Sequence, residues 1–239
     1  MHARRPTFLL TGFGSFPGVA DNATTELVPL LARAAGKRWP GYHFEPAVLP
    51  TEWLIAPQRV AELIGELRPA VTLHFGVSSK ATGFTLELRG QNLARALPDA
   101  AGCYPMACQL AADGPEFLPT SIPVIPVLER LRRNGFPAIL SRDAGGYLCN
   151  AVLYAALDQA RGVDWPMRSG FVHLPASLSQ KAFPASRRGC ALTWGQTMEG
   201  SLEIIAATLG RPANVGSLAV PLSASFAIPG ARPGITSAK

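Results

Sequence analysis

The sequence predicts an α/β fold: one domain built on an open, twisted, mostly parallel (mixed) sheet with helices on both faces. Short apolar runs of strand length alternate with amphipathic stretches of helical length through most of the chain, the pattern of a sheet covered on both sides. The 239 residues, 48% of them hydrophobic, suffice for one large core, and nothing in the length forces a second domain. The periodicity fades after Gly210, where Pro, Gly, Ala and Ser dominate. The chain therefore divides into a folded unit over residues 1–210 and a loosely packed or extended tail over 211–239.

In order, Thr7 to Gly12 is an apolar first strand, Thr24 to Ala35 a helix, Tyr42 to Leu49 a strand and Glu52 to Leu67 a second helix. Ala70 to Gly76 is apolar enough for a central strand, and Thr82 to Leu93 alternates as a half-buried strand does. Between Pro98 and Pro123, Pro, Gly and small residues without clear period indicate a long irregular excursion over the surface. Val124 to Asn134 is a short amphipathic helix stopped by Asn134-Gly135, and Ala138 to Ser141 is a short strand running into Asp143-Ala144-Gly145-Gly146. Tyr147 to Gln159 has helical spacing, Ser169 to Leu174 is a buried strand, and Gln196 to Leu209 is a last helix.

Several function classes are disfavoured by composition. The formal charge of +6 sits on scattered basic residues in a chain only 16% charged, without the basic, aromatic-interleaved stripe of a nucleic-acid binder. The clusters Arg130-Arg132-Arg133 and Arg187-Arg188 have the look of a solvated helix end and a loop. No apolar run approaches the roughly 20 residues of a membrane span. Arg4 and Arg5 before an apolar run imitate a signal peptide, but that run is short and glycine-broken; it suits a first strand better, which points to a cytoplasmic protein. Cys103, Cys108, Cys149 and Cys190 lack zinc-site spacing and are too few for a disulfide framework. No metal and no cofactor are expected. Gly12-Phe13-Gly14-Ser15-Phe16 lacks the third glycine of a dinucleotide turn and the Lys-Ser/Thr ending of a phosphate loop; its phenylalanines serve better as walls of an apolar pocket.

The strongest chemical signal is the passage from a strand through Gly145-Gly146 into a helix at Cys149. A thiol there meets the positive end of the helix dipole, and free backbone N–H groups nearby can hold an oxyanion. The bland alternative is a structural cysteine on a core helix. His173 follows the apolar Gly170-Phe171-Val172 and precedes Leu174-Pro175; on the carboxyl rim of an open sheet it can meet Cys149 and act as base, although such a histidine is also a common core or capping group. Glu87, between Leu86 and Leu88, is the candidate to orient the imidazole. Its alternative is an exposed strand residue paired with Arg89 on the same face.

Taken together these segments resemble the pyroglutamyl-peptidase I family of cysteine peptidases, in the same order across about residues 7–210. Leu9 to Phe16 resembles the family's opening motif, Thr85-Leu86-Glu87 the segment of its catalytic glutamate, and Asp113-Gly114-Pro115 a further landmark. Ala144 to Asn150 resembles the nucleophile motif, and Gly170 to Pro175 the strand of the catalytic histidine. The resemblance implies a metal-free removal of N-terminal pyroglutamate from peptides through a thioester, by Cys149, His173 and Glu87. Phe13, Phe16, Tyr147 and Leu148 are then expected around the lactam ring, and a homo-oligomer is compatible with it. Departures cluster around substrate. Val77-Ser78-Ser79 stands where the family usually has glutamine and a glycine pair, so Val77 belongs among the candidate pocket residues; Leu88 and Ala96 replace arginines, Asn22-Ala23 an Asn-Pro pair, and Pro98-Asp99-Ala100 a Pro-Asp-Asn. Intact catalytic types with altered polar neighbours also suit a related thiol hydrolase for another small acyl group. A catalytically silent binding protein of the same fold is the alternative from another class.

Overall fold

A computed structural model describes residues 5–179 and 192–210. The expected tail over 211–239, Cys190 and the Arg187-Arg188 pair lie outside the described residues.

The strands of the main sheet are β1 (Thr7–Phe13), β2 (His43–Leu49), β3 (Val71–Ser78), β4 (Phe84–Glu87), β7 (Ala138–Ser141) and β8 (Arg168–Pro175). Their order is β2-β1-β3-β8-β4-β7. The first four in that order are mutually parallel, whereas β4 runs antiparallel to β8 and parallel to β7. The sheet is thus mixed and mostly parallel, as its sequence pattern predicts.

Strand alternation sends side chains to two different layers. Phe8, Leu10, Val71, Leu73, Phe75, Phe84, Leu86, Val172 and Leu174 pack with α1 (Ala23–Arg38), α3 (Val124–Arg133) and α5 (Trp194–Leu209). Leu9, Phe13, Leu49 and Phe171 pack with α2 (Ile55–Leu67) and α4 (Leu148–Gly162). The alternation places Thr11, Thr72, His74, Ser169, His173, Thr85 and Glu87 on the second face as well, all of them buried. Polar groups without water need partners, and this stripe supplies some of them internally: Thr11 Oγ1 lies 2.7 Å from His74 Nδ1, and Thr72 Oγ1 donates to Ser169 Oγ at 2.8 Å.

The expected strand over Thr82 to Leu93 is divided in two. β4 stops at Glu87, and β5 (Arg89–Gln91) joins β6 (Phe117–Pro119) in a separate two-stranded sheet. Leu88 makes the handover: its N–H donates to Ser141 O at 2.7 Å while its carbonyl accepts from Thr120 N at 2.9 Å. Arg89 consequently does not pair with Glu87. Its guanidinium lies 3.8 Å over the Phe117 ring and Nε donates to Arg142 O. The Arg130 cluster is likewise less solvated than expected, because Arg130 pairs with Glu203 of α5 and Arg132 donates to Ala138 O.

The segment from Pro98 to Pro123 has no helix, as expected, and is organised by short polar side chains acting on backbone. Asp99, 2% exposed, accepts from Trp53 N, Ala101 N and Cys103 N at 2.8–2.9 Å. Asn92 accepts from Leu110 N and Ala111 N and donates to Ala111 O and Gly114 O. Such local bonds replace the ladders the segment lacks. Among the described residues, no helix is long and apolar enough to cross a membrane.

Candidate active site

The passage from β7 to α4 is a self-bonded turn. Asp143 N donates to Ser141 Oγ and Gly145 N to Asp143 Oδ1, both at 3.0 Å, and Gly145 adopts φ +80°, where an L side chain is strained. At Gly146 a Cβ would lie 2.4 Å from Arg95 Cγ. α4 then begins with Tyr147 at its N-cap in extended conformation and without a side-chain cap. The N–H groups of an uncapped first turn keep their hydrogen-bonding capacity, and here they belong to residues that line a cleft: Leu148 and Cys149.

That cleft, about 520 Å³ in volume, has Cys149, His173 and Glu87 on its wall, together with Phe13, Phe16, Tyr147, Leu148 and Val77. The structure brings every sequence-derived candidate to one place. His173 Nδ1 lies 2.8 Å from Glu87 Oε1, with the two side chains only 8% and 1% exposed. Cys149 lines the cleft with the same imidazole and acts on its charge. Glu87 reaches His173 across neighbouring strands, because β4 and β8 pair Thr85 with His173 and Glu87 with Phe171. Leu88 and Ala96 do not line the cleft, whereas Ser78 and Ser79 do. A second hollow of about 670 Å³ beside α1, bordered by Glu26, Ser179 and Trp194, contains none of the candidate residues.

Ring walls and backbone shape the rest. Phe16 lies 6.2 Å from Tyr147, and Tyr147 meets Trp53 edge-on at 5.3 Å. The Tyr147 hydroxyl donates to Pro98 O and Trp53 Nε1 to Leu97 O, so the loop organised by Asp99 fixes this wall. On the other side, Gly14 O accepts from Asn22 Nδ2 and Thr51 Oγ1, which holds the Phe13–Phe16 turn. Asn150, buried next to Cys149, accepts from Gln91 N and donates to Gln91 O and Leu93 O. The sequence reading missed these anchors, although Asn150 and Asp99 stand inside the quoted motifs.

The two histidines of this face have opposite charge states for a physical reason. Among the described residues, His74 has only a neutral hydrogen-bond partner, Thr11, and complete burial pushes its pKa down to about 3. For His173 burial acts in the same direction, but the charge and hydrogen bond of Cys149 and the hydrogen bond and charge of Glu87 more than offset it and raise the pKa to about 9. His173 is therefore held toward the imidazolium form.

Residues 7–207 match a family model described as pyroglutamyl peptidase. The chain belongs to that family. A pyrrolidone-carboxylate peptidase of Oceanobacillus iheyensis is 32% identical over 169 residues, 71% of this chain and 83% of the relative. One from Cupriavidus taiwanensis is 31% identical, over 74% of this chain and 82% of its own length. Among solved structures, pyrrolidone carboxyl peptidase from Thermococcus litoralis is 25% identical with a TM-score of 0.76, covering 85% of this chain and 93% of that one. Pyroglutamyl peptidase I from Bacillus amyloliquefaciens is 26% identical with a TM-score of 0.72, over 85% and 96%. In this member of the pyroglutamyl peptidase family, one further position is dictated by the site. A Cβ on Gly76, directly opposite His173 in the β3–β8 register, would lie 2.8 Å from Phe171 Cζ and 3.0 Å from Cys149 Sγ.

Gly76→Ala is expected to lower stability by about 1–3 kcal/mol through overpacking and to displace the thiol, read as a lower urea midpoint together with slower alkylation of Cys149. The raised His173 pKa has a sign as well. A proton bound more tightly in the folded state stabilises it fully below about pH 6.5, and that contribution is lost as pH rises through about 9. The stability advantage of the wild type over His173→Asn, followed by urea unfolding, should shrink across that window.

Proposed function

We propose that this chain is a cysteine omega-peptidase that removes N-terminal pyroglutamate from peptides, with Cys149 as nucleophile, His173 as acid and base, and Glu87 as the group that orients the imidazole. The observation that carries the reading is the grouping of Cys149, His173 and the buried Glu87 inside an aromatic-walled cleft. The names of the relatives, pyrrolidone-carboxylate peptidases, give the acyl group.

The thiolate of Cys149 attacks the carbonyl carbon that follows the lactam ring, and the carbonyl pair moves to oxygen. Backbone N–H groups of the first turn of α4 receive that oxyanion. As the C–N bond breaks, His173 hands its proton to the departing amine, leaving a thioester on Sγ. The neutral imidazole then takes a proton from water, whose oxygen attacks the thioester; free pyroglutamate leaves and the thiolate–imidazolium pair returns. Glu87, in contact with the imidazole Nδ1, stabilises the imidazolium, as the carboxylate of a catalytic triad does. The lactam ring fits between Phe13, Phe16, Tyr147 and Leu148, which are apolar yet leave backbone groups within reach. A reducing compartment keeps a nucleophilic thiol active. Cytoplasmic residence follows from this reading.

A second reading keeps the chemistry and changes the acyl group, because Val77, Ser78 and Ser79, where the family usually has glutamine and glycines, do line the cleft. It predicts faster turnover of another small N-terminal acyl amide than of the pyroglutamyl one.

Wild-type protein should release aminomethylcoumarin from its pyroglutamyl amide, with Cys149→Ala slower by at least about 10³-fold. The rate should decline above about pH 9, where His173 loses its proton. Unimpaired turnover by Cys149→Ala, with both proteins folded, removes the mechanism.

A further inference from the structure

The sheet register sets out the site as a line. Gly76 of β3, His173 of β8, Thr85 of β4 and Ile139 of β7 lie opposite one another in four adjacent strands, about 5 Å apart per strand. The nucleophile sits at the Gly76 end, where its sulfur would touch a Cβ. The aromatic walls lie on that side, since Phe13 ends β1 and Val77 follows Gly76 in β3. A leaving amine must receive its proton from His173, so the chain that follows it continues along the line, over Thr85 toward Ile139.

Three features of that half are not used by the acyl chemistry. Ile139 is 48% exposed, an apolar side chain open on the cleft wall. Thr85 is buried, yet its Oγ1 has no hydrogen-bond partner among the described residues; a buried hydroxyl left unpaired is destabilising. Thr85 lines the same cleft, so a bound substrate is the available partner for that hydroxyl. Lys80 lies in the turn from β3 to β4, which crosses over the end of β8, and lines the same cleft. Among the described residues its ammonium forms none of the ion pairs; Asp143, the carboxylate on the far lip, accepts from Gly145 N, and Glu87 from His173.

We propose that Thr85, Ile139 and Lys80 form the subsite for the residue after pyroglutamate, taking an apolar side chain against Ile139, its carbonyl oxygen on the Thr85 hydroxyl and, where the peptide ends there, the second carboxylate oxygen at Lys80. Short pyroglutamyl peptides that end one residue after the ring are then favoured over their amides. This rests on the peptidase reading above and extends it to the departing side of the substrate.

The test compares kcat/KM of the full chain for pyroglutamyl-leucine, pyroglutamyl-leucinamide, pyroglutamyl-glycinamide and the aminomethylcoumarin amide, whose amine carries no peptide carbonyl. Wild type is expected to prefer the free acid over the leucinamide by about 2- to 5-fold, the scale of an exposed ion pair, and Lys80→Met to bring that ratio to one. Ile139→Ser should reduce the preference for leucinamide over glycinamide. Thr85→Val should lower kcat/KM for leucinamide by about 5- to 10-fold more than for the coumarin amide, chiefly through KM, and Thr85→Ser should restore it. An acid-to-amide ratio unmoved by Lys80→Met, a leucinamide-to-glycinamide ratio unmoved by Ile139→Ser, or an equal fall on both substrates in Thr85→Val, overturns the subsite while coumarin release keeps the peptidase standing. Failure of the wild type on every substrate takes down both.

Discussion

Everything in this site depends on one interaction, the buried contact of Glu87 with His173. A carboxylate 1% exposed, 2.8 Å from an imidazole ring that is itself almost sealed, is tolerable only if a cation balances it. The charge and hydrogen bond of Cys149, together with the hydrogen bond and charge of Glu87, keep the imidazole protonated against the pull of burial. His74, on the same face and equally buried, has no such partner among the described residues and stays neutral. The contrast shows that the charge at His173 comes from its neighbours and not from the layer it occupies.

The main sheet serves this contact through its antiparallel β8–β4 pair. With β4 antiparallel to β8, Thr85 pairs with His173 and Glu87 with Phe171, so the carboxylate approaches the ring from the adjacent strand. β3, on the other flank, contributes a glycine at the matching position and so leaves room for the sulfur carried by α4. The site is therefore assembled from three neighbouring strands and one helix end, and little of it relies on loops. Loops enter at the walls, where Asp99 and Asn22 hold the turns that carry Leu97, Pro98 and the Phe13–Phe16 pair.

Much of this was legible in the sequence. The apolar periods marked the strands and helices of the main sheet, and the Gly145-Gly146 break marked the turn before Cys149 because glycine there has a steric cause. Pairing was not legible. Thr85 to Arg89 alternates cleanly, which put Glu87 and Arg89 on one face; the chain instead passes from one sheet to another at Leu88, a handover fixed by backbone bonds to Ser141 and Thr120 that are distant in sequence. The reversed direction of β4, and with it the line from Gly76 to Ile139, was hidden for the same reason. Arg95 presses on Gly146, a contact that no local pattern announces.

The most direct measurement is the rate at which iodoacetamide modifies each cysteine between pH 5 and 9, followed by peptide mass in the wild type and in Glu87→Gln and His173→Asn. Cys103 and Cys108 are exposed while Cys149 is half-buried, so accessibility alone favours the first two. The account predicts that Cys149 nevertheless reacts fastest below neutral pH, and that either substitution reduces it to the pH dependence of an ordinary thiol. A Cys149 that lags behind Cys103 and Cys108 at every pH, indifferent to both substitutions, would contradict it.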